Sequence, residues 1–347
     1  MKSRIRLRVD LGLQLLALYI LFVGLVVGSA LIFERMAAER VQTDVKAADL
    51  ALARAVAQET NAVLESAQEA VRRLSRFLAV RQVEKEGMRD IFSTLMSVRT
   101  DVNLVYRLGS DGVMLYHFPE GPESTLGVDF SFRDYFQRAL LSQEPLVSKG
   151  RISPTTNQAV ATAVMPLWED NDQFLGLVGT NIKLESLSQT LNGIISEYPP
   201  EEGFEIFIID SAGQIIAHSD PEHLLENAGE RIPDVVNAVL SGQENDLIAD
   251  DSGGRERLYT FIPVSSVGWG VIVSRPTAVA FATPIALQRG VLLAIAVFLV
   301  GGVFYWLTLS RRIIVPLERL AAYSRAIGEE APVVAEDQFD IGRLRRR

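Results

Sequence analysis

The 347-residue sequence predicts an α+β fold, a long N-terminal helix with two tandem antiparallel-sheet modules, flanked by two transmembrane helices. Three observations predict it. Two stretches are apolar and uncharged, Leu11–Phe33 with 23 residues and Gly290–Ser310 with 21. A long segment after the first keeps apolar residues three and four apart. Beyond that, the period changes to strand-like runs, and a strand-turn-strand plan occurs twice.

At about 1.5 Å rise per residue, each apolar stretch is long enough for the roughly 30 Å hydrocarbon layer of a bilayer. The first exceeds the usual signal-peptide core and runs into a charged helical pattern from Glu34, so it reads as an uncleaved anchor. Phe304, Tyr305 and Trp306 near the end of the second form an interfacial aromatic belt, and Arg311 and Arg312 follow. Lys2, Arg4, Arg6 and Arg8 precede the first. Residues 34–289 hold 36 acids and 22 bases, whereas the two ends hold 7 acids and 12 bases. Basic flanks predict cytoplasmic segments at 1–10 and 311–347, with the acidic loop on the outer side of the membrane. An acidic exterior argues against a nucleic-acid partner. The sequence has no cysteine, hence no disulfide and no thiolate chemistry.

Within the loop, Val41, Val45, Ala48, Leu52, Val56, Val63, Ala67, Ala70, Leu74 and Leu78 mark one long helix from Glu34 to Leu78. Asn103–Phe118 is two strands around Gly109-Ser110-Asp111-Gly112, a β-hairpin. Phe132–Leu141 is a short amphipathic helix after the turn-rich stretch Pro119–Gly127. Pro145–Ile152, Gln158–Leu167 and Phe174–Ile182 read as strands, the last two joined at Trp168–Asp172. The plan then recurs: Phe204–Ile216 is strand, Asp-Ser-Ala-Gly turn, strand; Ile232–Leu240 is a helix; Arg257–Pro263 and Gly270–Ser274 pair around Ser265–Gly268. A repeat of roughly a hundred residues predicts two modules. They cover about 85–198, farther from the membrane, and about 199–276, nearer to it, with a boundary near Tyr198-Pro199-Pro200.

A long helix leaving the membrane, two sheet modules and a return to a second span resemble the double Cache sensor domain of bacterial receptors. Ser131-Phe132-Arg133-Asp134-Tyr135-Phe136-Gln137-Arg138-Ala139 is similar to the S-x-R-x-Y-F-x-x-A segment of the membrane-distal module of such sensors. The resemblance implies a small-molecule ligand held there. The residues agree with it in their chemistry: Arg133 offers a planar fork for a carboxylate, and Tyr135 and Phe136 wall a small pocket. Lys149 and Arg151, two apart on one strand, share a face. The competing reading pairs Arg133 with Asp129 or Asp134 and places Tyr135 and Phe136 in the core. The amino-acid-binding version of the family has a Tyr upstream of the Arg, a Trp after it and an Asp on the last strand. Here Val128, Tyr135 and Asn181 stand there, which favours a small carboxylate or another polar metabolite over a free amino acid. The candidate ligand-binding residues are Arg133, Tyr135, Phe136, Lys149, Arg151 and Asn181.

Ile314-Val315-Pro316-Leu317-Glu318-Arg319-Leu320, with Tyr323, Ile327 and Gly328, resembles the first helix of a HAMP relay, and Asp340-Ile341-Gly342-Arg343-Leu344 the start of its second. That resemblance implies a homodimer and an output domain such as a histidine kinase or diguanylate cyclase, which this sequence does not contain. The three histidines, His117, His218 and His223, have no metal-ligand spacing, and no catalytic or phosphate-binding motif occurs. The expectation is a signal-transducing membrane receptor, not an enzyme, without a cofactor or metal. The alternative is an envelope-anchored protein-interaction module. His117 and His218 fall at equivalent places in the two repeats, which points to structural roles.

Overall fold

The computed structural model describes residues 11–121, 123–196, 203–317, 319, 320 and 323. The predicted module boundary at Tyr198-Pro199-Pro200 and the segment Asp340–Leu344 lie outside the described residues. The chain divides into two compact units, Glu39–Thr283 and the pair Met1–Ala38 with Pro284–Arg347.

In the second of these units, α1 (Leu11–Leu74) begins and α8 (Ala282–Leu309) runs. Both are long and apolar enough to cross a membrane, with mean hydropathy 2.6 and 2.3 over their most apolar windows. Leu18, Leu21, Phe22, Leu293, Val300 and Phe304 are exposed there, as lipid-facing side chains are. The Tyr19 hydroxyl donates to the Phe298 carbonyl at 3.3 Å.

In the unit Glu39–Thr283, α1 continues to Leu74, four residues short of the predicted end. Two further helices follow, α2 (Leu78–Arg81) and α3 (Lys85–Val98), neither anticipated from the sequence. Gly87 allows their close packing, since a Cβ there would lie 2.6 Å from that of Ala79.

The first sheet contains β1 (Val102–Leu108), β2 (Met114–Phe118), β3 (Leu146–Val147), β4 (Arg151–Ile152), β5 (Ala159–Trp168) and β6 (Phe174–Lys183), with α4 (Asp134–Ala139) over one face. After α5 (Leu184–Ile195), the second sheet contains β7 (Glu205–Ile209), β8 (Ile215–His218), β9 (Asn245–Asp250), β10 (Glu256–Val264) and β11 (Trp269–Pro276), with α6 (Pro233–Leu240) over one face. A short α7 (Thr277–Ala280) closes the unit. The strand orders are β2-β1-β6-β5-β3 and β8-β7-β11-β10-β9, all neighbours antiparallel. The repeat legible in the sequence is therefore one topology used twice.

Register turns that likeness into residue equivalences. Tyr106 pairs with His117 and Gly179; Phe207 pairs with His218 and Ile272. Asn181 pairs with Thr162 and Leu104; Ser274 pairs with Tyr259 and Glu205. Hence Tyr106 matches Phe207, His117 matches His218, Thr162 matches Tyr259, and Asn181 matches Ser274.

One core joins the parts. Ala53, Val56, Leu64 and Val71 of α1 pack with Ala161, Ala163 and Ile182 of the first sheet and Ile206, Ile208 and Val271 of the second. Buried apolar area of this kind is the main favourable term in folding. Lys46–Asp246 at 2.6 Å, Arg54–Glu244 and the buried Asp49–Arg275 pair clip α1 to β9 and β11.

The segment predicted as one strand, Pro145–Ile152, is instead two short pieces, β3 and β4, interrupted at Ser148–Gly150, where Ser148 still bonds Thr162 of β5. The cause lies in the other sheet. The Gly150 N–H donates to Asp210 Oδ2 at 2.9 Å, and a Cβ at Gly150 would sit 2.7 Å from Ile216. Asp210 is fully buried, and its Oδ1 also accepts from the backbone N–H groups of Ala212 and Gln214.

Candidate functional site

The site grows from polar residues inside strands that are otherwise apolar. Thr162 interrupts Ala159–Trp168 and Asn181 interrupts Phe174–Lys183, and the two face each other in register. Both are fully buried. A buried amide and hydroxyl need partners. Thr162 Oγ1 donates to Asn181 Oδ1 at 2.8 Å, and Asn181 Nδ2 donates to Ser153 Oγ at 3.2 Å. Arg151 Nη2 donates to Thr162 Oγ1 at 2.7 Å and reaches Asn181 Oδ1 at 3.4 Å.

The helix α4 covers this floor. Its N-cap residue is Arg133, in extended conformation at φ −71°, ψ 140°, and no side chain caps it. Tyr135 and Phe136 are each 2 % exposed and turn inward. The Arg151 guanidinium lies 5.4 Å from the Tyr135 ring centroid, and that of Arg133 lies 4.9 Å from the ring of Phe132. Tyr106, buried beneath, has room because its partner in register is Gly179: a Cβ there would lie 2.7 Å from the phenol oxygen. Burial pushes the Tyr106 phenol well above its ordinary pKa. Burial also raises that of Tyr135, against the opposing pull of Arg151 and Arg133. Both phenols are therefore neutral hydrogen-bonding groups at neutral pH.

Two buried arginine donors in this cluster lack a hydrogen-bond partner, Arg133 Nε and Arg151 Nε, as does the acceptor Asp134 Oδ2 at the start of α4; the Tyr106 hydroxyl lies against those of Tyr135 and Thr162. An orphaned buried donor costs about 1–3 kcal/mol, which makes these two arginines candidates for holding a ligand. Arg133 forms no ion pair with Asp129 or Asp134. Asp129 accepts from the Ser131 N–H, and Asp134 faces Arg138 at 4.0 Å. On the same face of β1, a cavity of about 220 Å³ is lined by Leu104, His117, Glu123, Thr155 and Thr156. His117 is tied to the loop over it through Pro119 O and Ser124 Oγ, each at 3.0 Å.

The structure thus brings together Arg133, Tyr135, Arg151 and Asn181. Phe136 belongs to the wall, packed edge-on to Phe174 with centroids 5.8 Å apart. Lys149 does not join them: it is exposed in the segment between β3 and β4, so it and Arg151 are not two residues of one strand. Sequence reasoning missed Tyr106, Ser153 and Thr162. The signal for Thr162 and Asn181 was available, as polar residues at the middle of two apolar strands flanking one hairpin. Among the described residues, no cluster of His, Asp or Glu is arranged to hold a metal ion.

Residues 33–284 match the Cache domain family model dCache_1. The chain belongs to the Cache family. Solved Cache-like structures share the fold at low identity. The ligand-binding domain of the Pseudomonas fluorescens chemoreceptor CtaA, in complex with L-leucine, is 16% identical, with a TM-score of 0.55, covering 70% of this chain and 99% of that one. The ligand-binding domain of Mlp24 with asparagine is 18% identical, with a TM-score of 0.54, covering 71% of this chain and 98% of that one. The ligand-binding domain of the Campylobacter jejuni chemoreceptor Tlp3, in complex with 4-methylisoleucine, is 16% identical, with a TM-score of 0.52, covering 69% and 94%. No curated protein sequence matches the chain. Cache domains are sensor modules that bind ligands, and no catalytic family is indicated in this chain.

Proposed function

We propose that the chain is a two-pass membrane receptor whose first sheet binds a small carboxylate-bearing solute. The observation that supports this is the placement of two arginines, each with a buried Nε that lacks a hydrogen-bond partner, beside the neutral phenols and amide of one sheet face. Arg133 supplies a planar fork with no internal carboxylate to neutralise it. Arg151 supplies a second guanidinium, and Tyr106, Thr162 and Asn181 fix orientation.

The neighbours named above were solved with amino acids. An amino acid also brings an ammonium group, which wants a carboxylate. None of Tyr106, Arg133, Tyr135, Arg151, Thr162 and Asn181 provides one, and Asn181 Oδ1 is already occupied by Thr162 and Arg151. The nearby carboxylates, Asp134 and Glu123, lie at the start of α4 and on the wall of the adjoining cavity. A carboxylate without an ammonium group is the favoured ligand, and the amino acids in the thermal-shift panel test the other class.

One contact between the two sheets supports a route for signal transfer. Arg151 is preceded by Gly150, whose N–H is held by Asp210 of the second sheet. Tightening Arg151 around a ligand would load that contact, and the second sheet carries the ion pairs to α1 and the strand β11. A ligand that binds one arrangement better than another shifts their populations. In this reading, the sensor unit faces the exterior, both chain ends are cytoplasmic, the chains pair as a homodimer, and a HAMP-like segment after α8 relays the shift.

The test is a thermal-shift screen of the full chain in nanodiscs against a panel of small carboxylates and amino acids. A solute that binds only the folded chain must raise the melting temperature. The expected hit is a carboxylate whose shift disappears in Arg133→Ala. A panel in which every stabilising solute acts equally on Arg133→Ala would contradict the assigned site.

A further inference from the structure

The second sheet also holds a cavity on the face that matches the first site. Its volume is about 80 Å³, and its lining includes Glu205, Phe207, His218, Arg231, Arg257 and Tyr259. By register, Phe207, Tyr259 and Ser274 stand where the first sheet has Tyr106, Thr162 and Asn181. His218 matches His117, and each lines its own cavity. An arginine reaches the matching point as well: Arg257 Nε donates to Ser274 Oγ at 2.7 Å, as Arg151 Nη2 reaches Asn181.

The charges around this cavity are unequal in how firmly they are held. Arg257 is 4 % exposed and is anchored by Ser274 Oγ, the Gly203 carbonyl at 2.8 Å and Glu205 at 3.3 Å. Asp251 accepts from the backbone N–H groups of Gly253 and Arg255 and from the Arg255 guanidinium, so its oxygens are spent. Arg231 is different: it touches Glu226 only at 3.4 Å and Ser252 only at 3.5 Å, both at the limit of a hydrogen bond. This place differs from the first site: both arginines are already paired, Arg257 with Glu205 and Arg231 with Glu226, and only the long Arg231 contacts are weak enough for a ligand carboxylate to displace.

We propose that the second sheet carries its own ligand site, between Arg231, Arg257, Tyr259 and His218, for a carboxylate of two to four carbon atoms. The size follows from the cavity. One water needs about 10–15 Å³ measured this way, so about 80 Å³ suits a molecule the size of a few waters. Arg231 swings from its two long contacts onto the carboxylate, Arg257 supplies fixed positive charge, and the Tyr259 hydroxyl and the imidazole orient the rest. Burial and the neighbouring His223 hold the His218 imidazole down at about 4, so at neutral pH it is an uncharged hydrogen-bonding group. This site does not depend on the first being occupied or correctly assigned.

The experiment is calorimetry of the full chain in nanodiscs with sodium acetate and sodium succinate as probes, on wild type, Arg231→Gln, Tyr259→Phe and Arg133→Ala. The Arg231 side chain is 39% exposed, so its replacement leaves the core intact. The expected result is that binding of one probe weakens at least ten-fold in Arg231→Gln, weakens less in Tyr259→Phe, and is unchanged in Arg133→Ala. Absence of any probe binding that responds to Arg231→Gln would overturn the proposal. Failure of the first site shows separately, as indifference of every bound solute to Arg133→Ala.

Discussion

On the back of the first sheet, Arg107 lies in the protein interior at 1 % exposure; at the matching place in the second sheet stands Ile208. Arg107 binds backbone oxygens: Val80 O at 3.0 Å, Leu175 O at 2.9 Å and Leu108 O. Ile208 simply packs in the core shared with α1. The front faces differ in a second way. The first sheet has a phenol, a threonine and an asparagine where the second has a phenylalanine, a tyrosine and a serine, and the first leaves polar atoms unpartnered while the second spends most of them on ion pairs. One strand order therefore supports two chemistries. The shared strand order fixes which positions match, and a few side chains at those positions set the chemistry of each face.

The largest effect that would break this comparison is Arg107→Ala. Removing the guanidinium leaves several buried carbonyls without donors, and the expected loss of stability is about 3–5 kcal/mol in chemical denaturation. A loss below about 1 kcal/mol would mean that Arg107 is not the internal bracket described.

Next is the pH response of His218. Its folded-state value near 4 lies below the usual value of 6.5. As pH falls from 6.5 toward 4, the unfolded chain takes the proton first, so stability is lost across that window, by about 2–3 kcal/mol at the acid end. Asp49 works in the opposite direction: burial raises its carboxyl to about 6 against the pull of Arg275, so the folded chain takes that proton first and gains stability as pH falls through 6. Denaturation at pH 7 and pH 4.5 should therefore show a smaller acid loss in His218→Gln than in wild type, with Asp49 common to both. Equal losses would remove the imidazole from the account.

Arg133→Ala should weaken the carboxylate found by thermal shift about 10- to 100-fold, the loss expected for a charged hydrogen bond, while changing unfolding free energy little. Ile208→Val should cost about 1 kcal/mol, the ordinary cost of a missing core methyl group, which sharpens the contrast with Arg107. Smallest of all, Lys149→Ala should leave ligand affinity unchanged in calorimetry, because that side chain is exposed and lies outside both strands β3 and β4.

Much of the fold was legible because its signals are local. The two hairpins announced themselves by alternation around Gly109–Gly112 and Asp210–Gly213, and both turns place glycine at positive φ, Gly112 at 85° and Gly213 at 80°. The helix α4 and the two long apolar helices were equally plain. The helix α5 was missed although Leu184, Leu187 and Leu191 are spaced for it, because it follows β6 with no breaking residue. The edge strand β9 was missed because its acids and exposed positions blur the alternation. Of the residues named from the sequence, Tyr135, Arg151 and Asn181 fall on one sheet face in the structure, with Arg133 at the start of the covering helix. Lys149 was misplaced because strand geometry was carried through Gly150, and what breaks that strand is a contact with Asp210 sixty residues away, which no local pattern reveals.

The central claim is a carboxylate seated on Arg133 and Arg151 over Tyr135. A crystal structure of the chain with its best thermal-shift ligand tests it directly. The account predicts carboxylate oxygens about 3 Å from both guanidinium groups, with the ligand lying against Tyr106 and Thr162. A ligand found bound elsewhere, with Arg133 and Arg151 untouched, would contradict it.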